Sequence, residues 1–220
     1  MRLNTTNNLS WKAGILILLF SIPNTSLHAQ DRLIKPEMYV GANVGLTGSE
    51  IYFYPTVKQN ILFGSNGGFI FRYIAEKNVG IQAELNFSQR GWSEKDTTYA
   101  RKLNYVEIPL MTHIYIGKKN RFFVNLGPKI SYLISEKTLK NETTAGHTLR
   151  QHTQSVENPF DYGLCGGFGV LFTIHRNIFQ MDVRGAYSLS NIFSNSKKDF
   201  YDYSNNVNFS VNLGWLVQVK

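Results

Sequence analysis

From Val79 to Gln89 apolar and polar residues alternate without a break. Val79, Ile81, Ala83, Leu85 and Phe87 fall on one face of a strand, and Gly80, Gln82, Glu84, Asn86 and Ser88 on the other. A period of two is the strand period, because successive side chains point to opposite faces of a sheet. At about 3.3 Å per residue, a tilted run of this length crosses a bilayer. The pattern predicts seven further strands, over residues 38–47, 65–74, 103–116, 122–134, 161–174, 178–189 and 207–219. Val106, Ile108, Leu110 and Ile114 then face out, against Tyr105, Glu107, Met111 and His113. Pro109 falls on the inner face of that strand, where its missing donor predicts a bulge.

The connections alternate in length. Residues 75–78, 117–120 and 175–177 are short links, whereas 48–64, 90–102, 135–160 and 190–206 are long. Short periplasmic turns and long outer loops on an even number of strands are the arrangement of a membrane barrel. The expected fold is therefore all-β, an eight-stranded antiparallel up-and-down transmembrane β-barrel. A soluble barrel of lipocalin type is the rival, with its apolar faces inward. The membrane reading is favoured because one set of faces carries almost no charge, while the other carries Gly, Ser, Asn and charges of both signs. Tyr73, Tyr132, Tyr187 and Trp215 near strand ends match an aromatic girdle.

Composition supports this. The chain is 14% aromatic and only 17% charged, which is low for a surface facing water. Arg2 and Lys12 precede the apolar core 13–22, and Ser26-Leu27-His28-Ala29 ends on a small residue. That order predicts a cleaved signal peptide over 1–29, a short periplasmic segment over 30–37 and a barrel domain over 38–220. No later run is long enough for a spanning helix. The net charge of +8 becomes about +6 once the leader is removed. The basic residues are scattered along the sequence, so the excess points to lipid headgroups and not to nucleic acid.

Arg72, Glu84, Glu107, Lys129, Asp182 and Arg184 all fall on inner faces. Charges in a narrow interior are costly unless paired, which predicts an interior salt-bridge network. Glu107 is the expected acidic hub, with Arg184 or Arg72 as partner. An eight-stranded barrel is just wide enough for side chains to fill, so a structural plug is expected, not a pore. Cys165, the single cysteine, reads as a small packing residue. The run Gly163 to Gly169 lacks the Lys-Ser/Thr of a nucleotide loop and reads as room for large inward groups such as Tyr105 or Arg184. His147 and His152 share the longest loop with Thr148, Ser155 and Glu157. No spacing there is diagnostic of a nucleophile and base or of a third metal ligand. The expectation is no enzyme, no cofactor and no metal.

Four passages carry a family resemblance: Leu103-Asn104-Tyr105-Val106-Glu107-Ile108-Pro109-Leu110, Asn125-Leu126-Gly127-Pro128, the glycine-rich run Tyr162 to Gly169, and Arg184 to Ile192. In order and spacing they resemble the PorT-like outer-membrane β-barrels of Gram-negative bacteria, from about Tyr39 to the end. The resemblance implies an eight-stranded barrel in the outer membrane. One member of that family is linked to protein secretion and gliding. Asn212-Leu213-Gly214-Trp215-Leu216-Val217-Gln218-Val219 also resembles the insertion signal read by the barrel-assembly machinery, although the chain finishes on Lys220 and not on Phe or Trp. The expected partners are outer-membrane lipids, that machinery, and a protein contacted through the loops. The expected role is structural or interactive, at the surface or beside a secretion complex. A small-molecule-binding barrel is the alternative and a rim hydrolase the third reading.

Overall fold

A computed structural model of the chain describes residues 35–95, 98–142, 152, 155–193 and 201–220. The expected signal peptide lies outside these residues. Nine strands follow in order: β1 Glu37–Tyr54, β2 Gln59–Asn60, β3 Leu62–Glu76, β4 Val79–Glu94, β5 Thr98–Gly117, β6 Asn120–Glu142, β7 Phe160–Ile174, β8 Asn177–Ser188 and β9 Tyr203–Gln218. Apart from the two-residue β2, each strand pairs antiparallel with its sequence neighbours. β1 also pairs with β9, which closes an eight-stranded barrel and leaves no free edge.

The faces divide as the alternation requires. Val44, Leu46, Phe69, Phe122, Leu126, Phe168 and Leu213 all point out and are more than half exposed. Arg72, Gln82, Arg90 and Asp161 point in and are buried. An apolar outside around a polar inside is the reverse of a soluble ligand-binding barrel. Two-residue turns close one end, with positive φ at Asn78 (70°) and His175 (56°). Gly117 has φ 112°, a conformation that glycine reaches at no steric cost.

At the other end the strands run well past the apolar alternation. The link expected over 90–102 is mostly hairpin, because β4 reaches Glu94 and β5 begins at Thr98. Outward positions there are Gln89, Gly91 and Ser93. Backbone pairing continues outside lipid, where an outward side chain has no need to be apolar.

The bulge expected at Pro109 is absent. Both ladders beside it keep their register, and the β5–β6 shifts fall at Ala100/Arg101 and Asn104/Tyr105. A proline can forgo ladder bonds without inserting a residue, and this inward ring helps fill the lumen. The inner glycines of β7 meet the expectation in part. A Cβ on Gly167 would stand 2.4 Å from the Val183 carbonyl oxygen, and one on Gly169 would stand 2.8 Å from the Phe123 ring. They admit the β8 backbone and Phe123 in addition to the Arg184 stem, and Tyr105 is not among the nearest atoms. Cys165 is buried and inward, its Sγ 3.5 Å from the Gly127 carbonyl.

The lumen is filled in layers. Tyr39, Ile74, Tyr115, Phe123, Leu171 and Leu216 belong to an apolar plug at the short-turn end. Ile51, Phe53, Trp92, Tyr99, Phe193 and Tyr201 belong to a second apolar cluster at the long-loop end. Between the two lies a polar middle.

Candidate functional site in the lumen

The polar middle contains two ion networks, one above the other. The lower one forms a cycle. Arg184 on β8 grips Glu84 on β4 through both terminal guanidinium nitrogens, at 2.8 and 3.0 Å, and lies 3.4 Å from Asp182. Arg72 on β3 meets no carboxylate directly. Its Nε and Nη2 donate to Gln82 Oε1, at 2.8 and 2.6 Å, and Nη2 also donates to Gln180. The Gln82 amide in turn donates to Glu84, and the Gln180 amide donates to Asp182 at 3.0 Å. The cycle Arg72–Gln82–Glu84–Arg184–Asp182–Gln180 therefore ties β3 and β4 to β8 across the lumen. Asn86 donates to Glu84 Oε2 at 2.7 Å and Asn212 to Asp182 Oδ2 at 2.9 Å, the carboxylate oxygens that Arg184 also faces.

The upper network is centred on Arg90. Its guanidinium contacts Glu107 on β5 and donates to Asp161 on β7 at 3.0 Å. It also donates to Ser131 on β6 at 3.2 Å and lies 4.7 Å from the Tyr105 ring. Lys129 stands 3.6 Å from Glu107, and Ser188 on β8 donates to Asp161 at 2.9 Å. Each network holds two cations and two carboxylates, so each layer is neutral without a counter-ion. Charges this deep are tolerated only when paired and hydrogen-bonded.

All six sequence-predicted lumen charges are buried or, for Arg184, half-buried. The structure divides them between two layers. Arg72, Glu84, Asp182 and Arg184 stand in the lower one, and Glu107 and Lys129 in the upper. The partner expected for Glu107 is therefore replaced. Arg184 is taken by Glu84, and Arg90 reaches Glu107.

Above the networks, the aromatic cluster forms a cap. Trp92 packs edge-on against Phe53 at 5.5 Å and against Phe193 at 6.2 Å. The His152 ring stacks on Tyr99 at 3.8 Å, and its Nε2 lies 3.1 Å from both Glu94 oxygens. This pins part of the 143–159 connection to the β4–β5 hairpin. His147 and Thr148 lie outside the described residues.

A family model described as "Outer membrane protein beta-barrel domain" matches residues 29–194. The chain belongs to that family. It resides in the outer membrane of a Gram-negative bacterium. Among solved structures it is similar to OprG of Pseudomonas aeruginosa, with TM-score 0.52 and 11% identity over 83% of this chain and 95% of that one. It also matches Neisserial surface protein A, at TM-score 0.46 and 12% identity over 82% and 96%. Ail of Yersinia pestis matches at 0.44 and 15% over 82% and 99%. The OprG likeness bears on fold alone. No curated protein matches the chain.

Within this family barrel the central cation is one that the strand pattern passed over. The alternation of outward apolar residues stops at Phe87, a pattern that places Arg90 in a loop. Parity was the available signal, because Arg90 continues the inward series of Gln82, Glu84, Asn86 and Ser88. Asp161 falls at the start of the strand that the pattern predicts over 161–174, and it shares its parity with the inward Gly163 and Cys165.

Proposed function

We propose that this outer-membrane barrel is a closed, non-conducting platform of the PorT-like kind, which presents its outer hairpins to a protein partner at the cell surface or beside a secretion complex. The reading rests on the cross-lumen cycle through Arg72, Gln82, Glu84, Arg184, Asp182 and Gln180, which spends the width of the barrel on side chains bonded to one another. A chamber for an apolar ligand would be lined differently. The Tyr-x-Glu-Ile-Pro-Leu and Arg-Gly-Ala-Tyr passages that carry the resemblance deliver Glu107 and Arg184 to these networks, which supports the PorT-like assignment.

In planar bilayers the folded chain is expected to carry no stepwise current at physiological salt. Reproducible openings would sink the filled-lumen reading. The interaction role is tested in cells with a photo-crosslinking residue at Tyr54 or Tyr203, both exposed at the long-loop end, and at Phe168 on the lipid face as control. A discrete protein adduct from the two loop sites and not from Phe168 is the expected result. Adducts to lipid alone at all three sites would reject it.

A further inference from the structure

Basic side chains far apart in sequence converge on the periplasmic end. Lys77 lies in the β3–β4 turn, Lys118 and Lys119 in the β5–β6 turn, and Arg176 in the β7–β8 turn, while Lys35 and Lys220 stand where β1 meets β9. All six are exposed. Of the carboxylate side chains described at this end, Glu76 is exposed, and Glu37 is half-buried and accepts the Tyr39 hydroxyl at 2.6 Å. The long-loop end is different. Among the described residues its exposed charges are Lys58, Lys95 and Lys137 against Glu50, Glu136, Glu157 and Asp202.

The basic residues also border the apolar belt. Lys77 is two residues from the outward Val79, Lys118 two from Ile116, Arg176 two from Ile174, and Lys220 follows Val219. Such stems can lie along apolar surface while the charge reaches the headgroup level. One basic group stands at each of four strand pairs, so the charge forms a ring around the whole circumference. A protein partner would need one contiguous side, whereas an annulus of lipid meets every side.

We propose that this ring is a binding surface for the anionic phosphodiester headgroups of phospholipids in the periplasm-facing leaflet. Lysine suits that ligand as a flexible point charge, and a headgroup within a Debye length feels it strongly.

The test uses the full chain in phosphatidylcholine bilayers doped with spin-labelled phosphatidylglycerol or spin-labelled phosphatidylcholine, and reads the motionally restricted lipid. The wild-type chain is expected to hold phosphatidylglycerol roughly three- to fivefold over phosphatidylcholine at low salt and to lose most of that preference at high salt. The variant K77Q/K118Q/K119Q/R176Q is expected to abolish the preference, while K58Q/K95Q/K137Q at the other end keeps it. Should the fourfold variant not fold, as judged by loss of its heat-shifted gel band, K118Q/K119Q alone is expected to reduce the preference. Equal retention of the two lipids by the wild-type chain overturns the proposal, as does a preference that survives substitution. So does binding of soluble polyglutamate to this end without lipid preference, which would mark an acidic protein as the occupant.

Discussion

Replacement of Arg90 by methionine is expected to destabilise the barrel by about 3–5 kcal/mol, the cost of breaking a buried ion pair from one side. The Arg90 side chain is fully buried and serves two carboxylates from different strands. Without it, Asp161 keeps its serine donors but has no cation within bonding distance. Glu107 keeps only Lys129, at 3.6 Å. The upper layer then carries one excess negative charge in a space that lipid and two apolar plugs shield from water. The measurement is the urea midpoint of the heat-shifted band, or of tryptophan fluorescence, in a fixed bilayer. The companion variant R90M/D161N, which keeps Lys129 opposite Glu107 and leaves the layer neutral, separates lost packing from stranded charge. It is expected to recover most of the loss, because a buried ion pair replaced on both sides by neutral groups of similar shape is often close to neutral in stability. If the double variant is no more stable than R90M alone, the stranded charge is not what the arginine compensates.

That test depends on a partnership that the sequence shows only in part. The alternation gives the face of each residue, because lipid imposes an apolar side chain at every second position of a spanning strand. It therefore makes the closed barrel legible, together with the inward set from Arg72 to Arg184. It does not give height. Which inward residues meet depends on how the strands are staggered around the ring, and that stagger is a property of closure. Glu107 stands opposite Asn86 on the neighbouring strand, so an arginine two inward positions above Asn86 can reach down to it. Arg72 and Arg184 lie instead at the level of Glu84 and Gln180. The amides of Gln82 and Gln180 were invisible as relays for the same reason: parity marks them as inward, not as bonded to a cation on another strand. The basic ring has a parallel cause. Lys77, Lys118 and Arg176 are dispersed in sequence, and the up-and-down topology brings every second connection to one end. The cap is a different case. Trp92, Tyr99 and Leu103 lie where outward residues have become polar, so a pattern tuned to lipid stops before it reaches them.

Substitution of Trp92 by alanine is expected to act on that cap and to leave the barrel beneath it intact. Trp92 is 3% exposed, and it touches Phe53, Tyr99 and Phe193, while the Arg101 guanidinium lies 5.7 Å from its ring. Large-to-small replacement of a buried tryptophan costs about 3–5 kcal/mol, and the cost stays local where neighbouring structure is held independently. Here the transmembrane ladders and both ion networks are independent of Trp92. The loss should therefore appear as opening of the long-loop hairpins. Amide exchange is expected to quicken over residues 91–103 and 189–193 and to stay unchanged around Lys118 and Arg176. Uniform acceleration would show that the cap and the barrel unfold as one unit. W92F, which keeps a ring in the site, is expected to fall between the two. Conductance then distinguishes the layers. If the networks of Arg90 and Arg184 fill the lumen by themselves, W92A carries no more current than the wild-type chain. If W92A conducts, the block resides in the aromatic cap, and the networks below line a path and do not fill it.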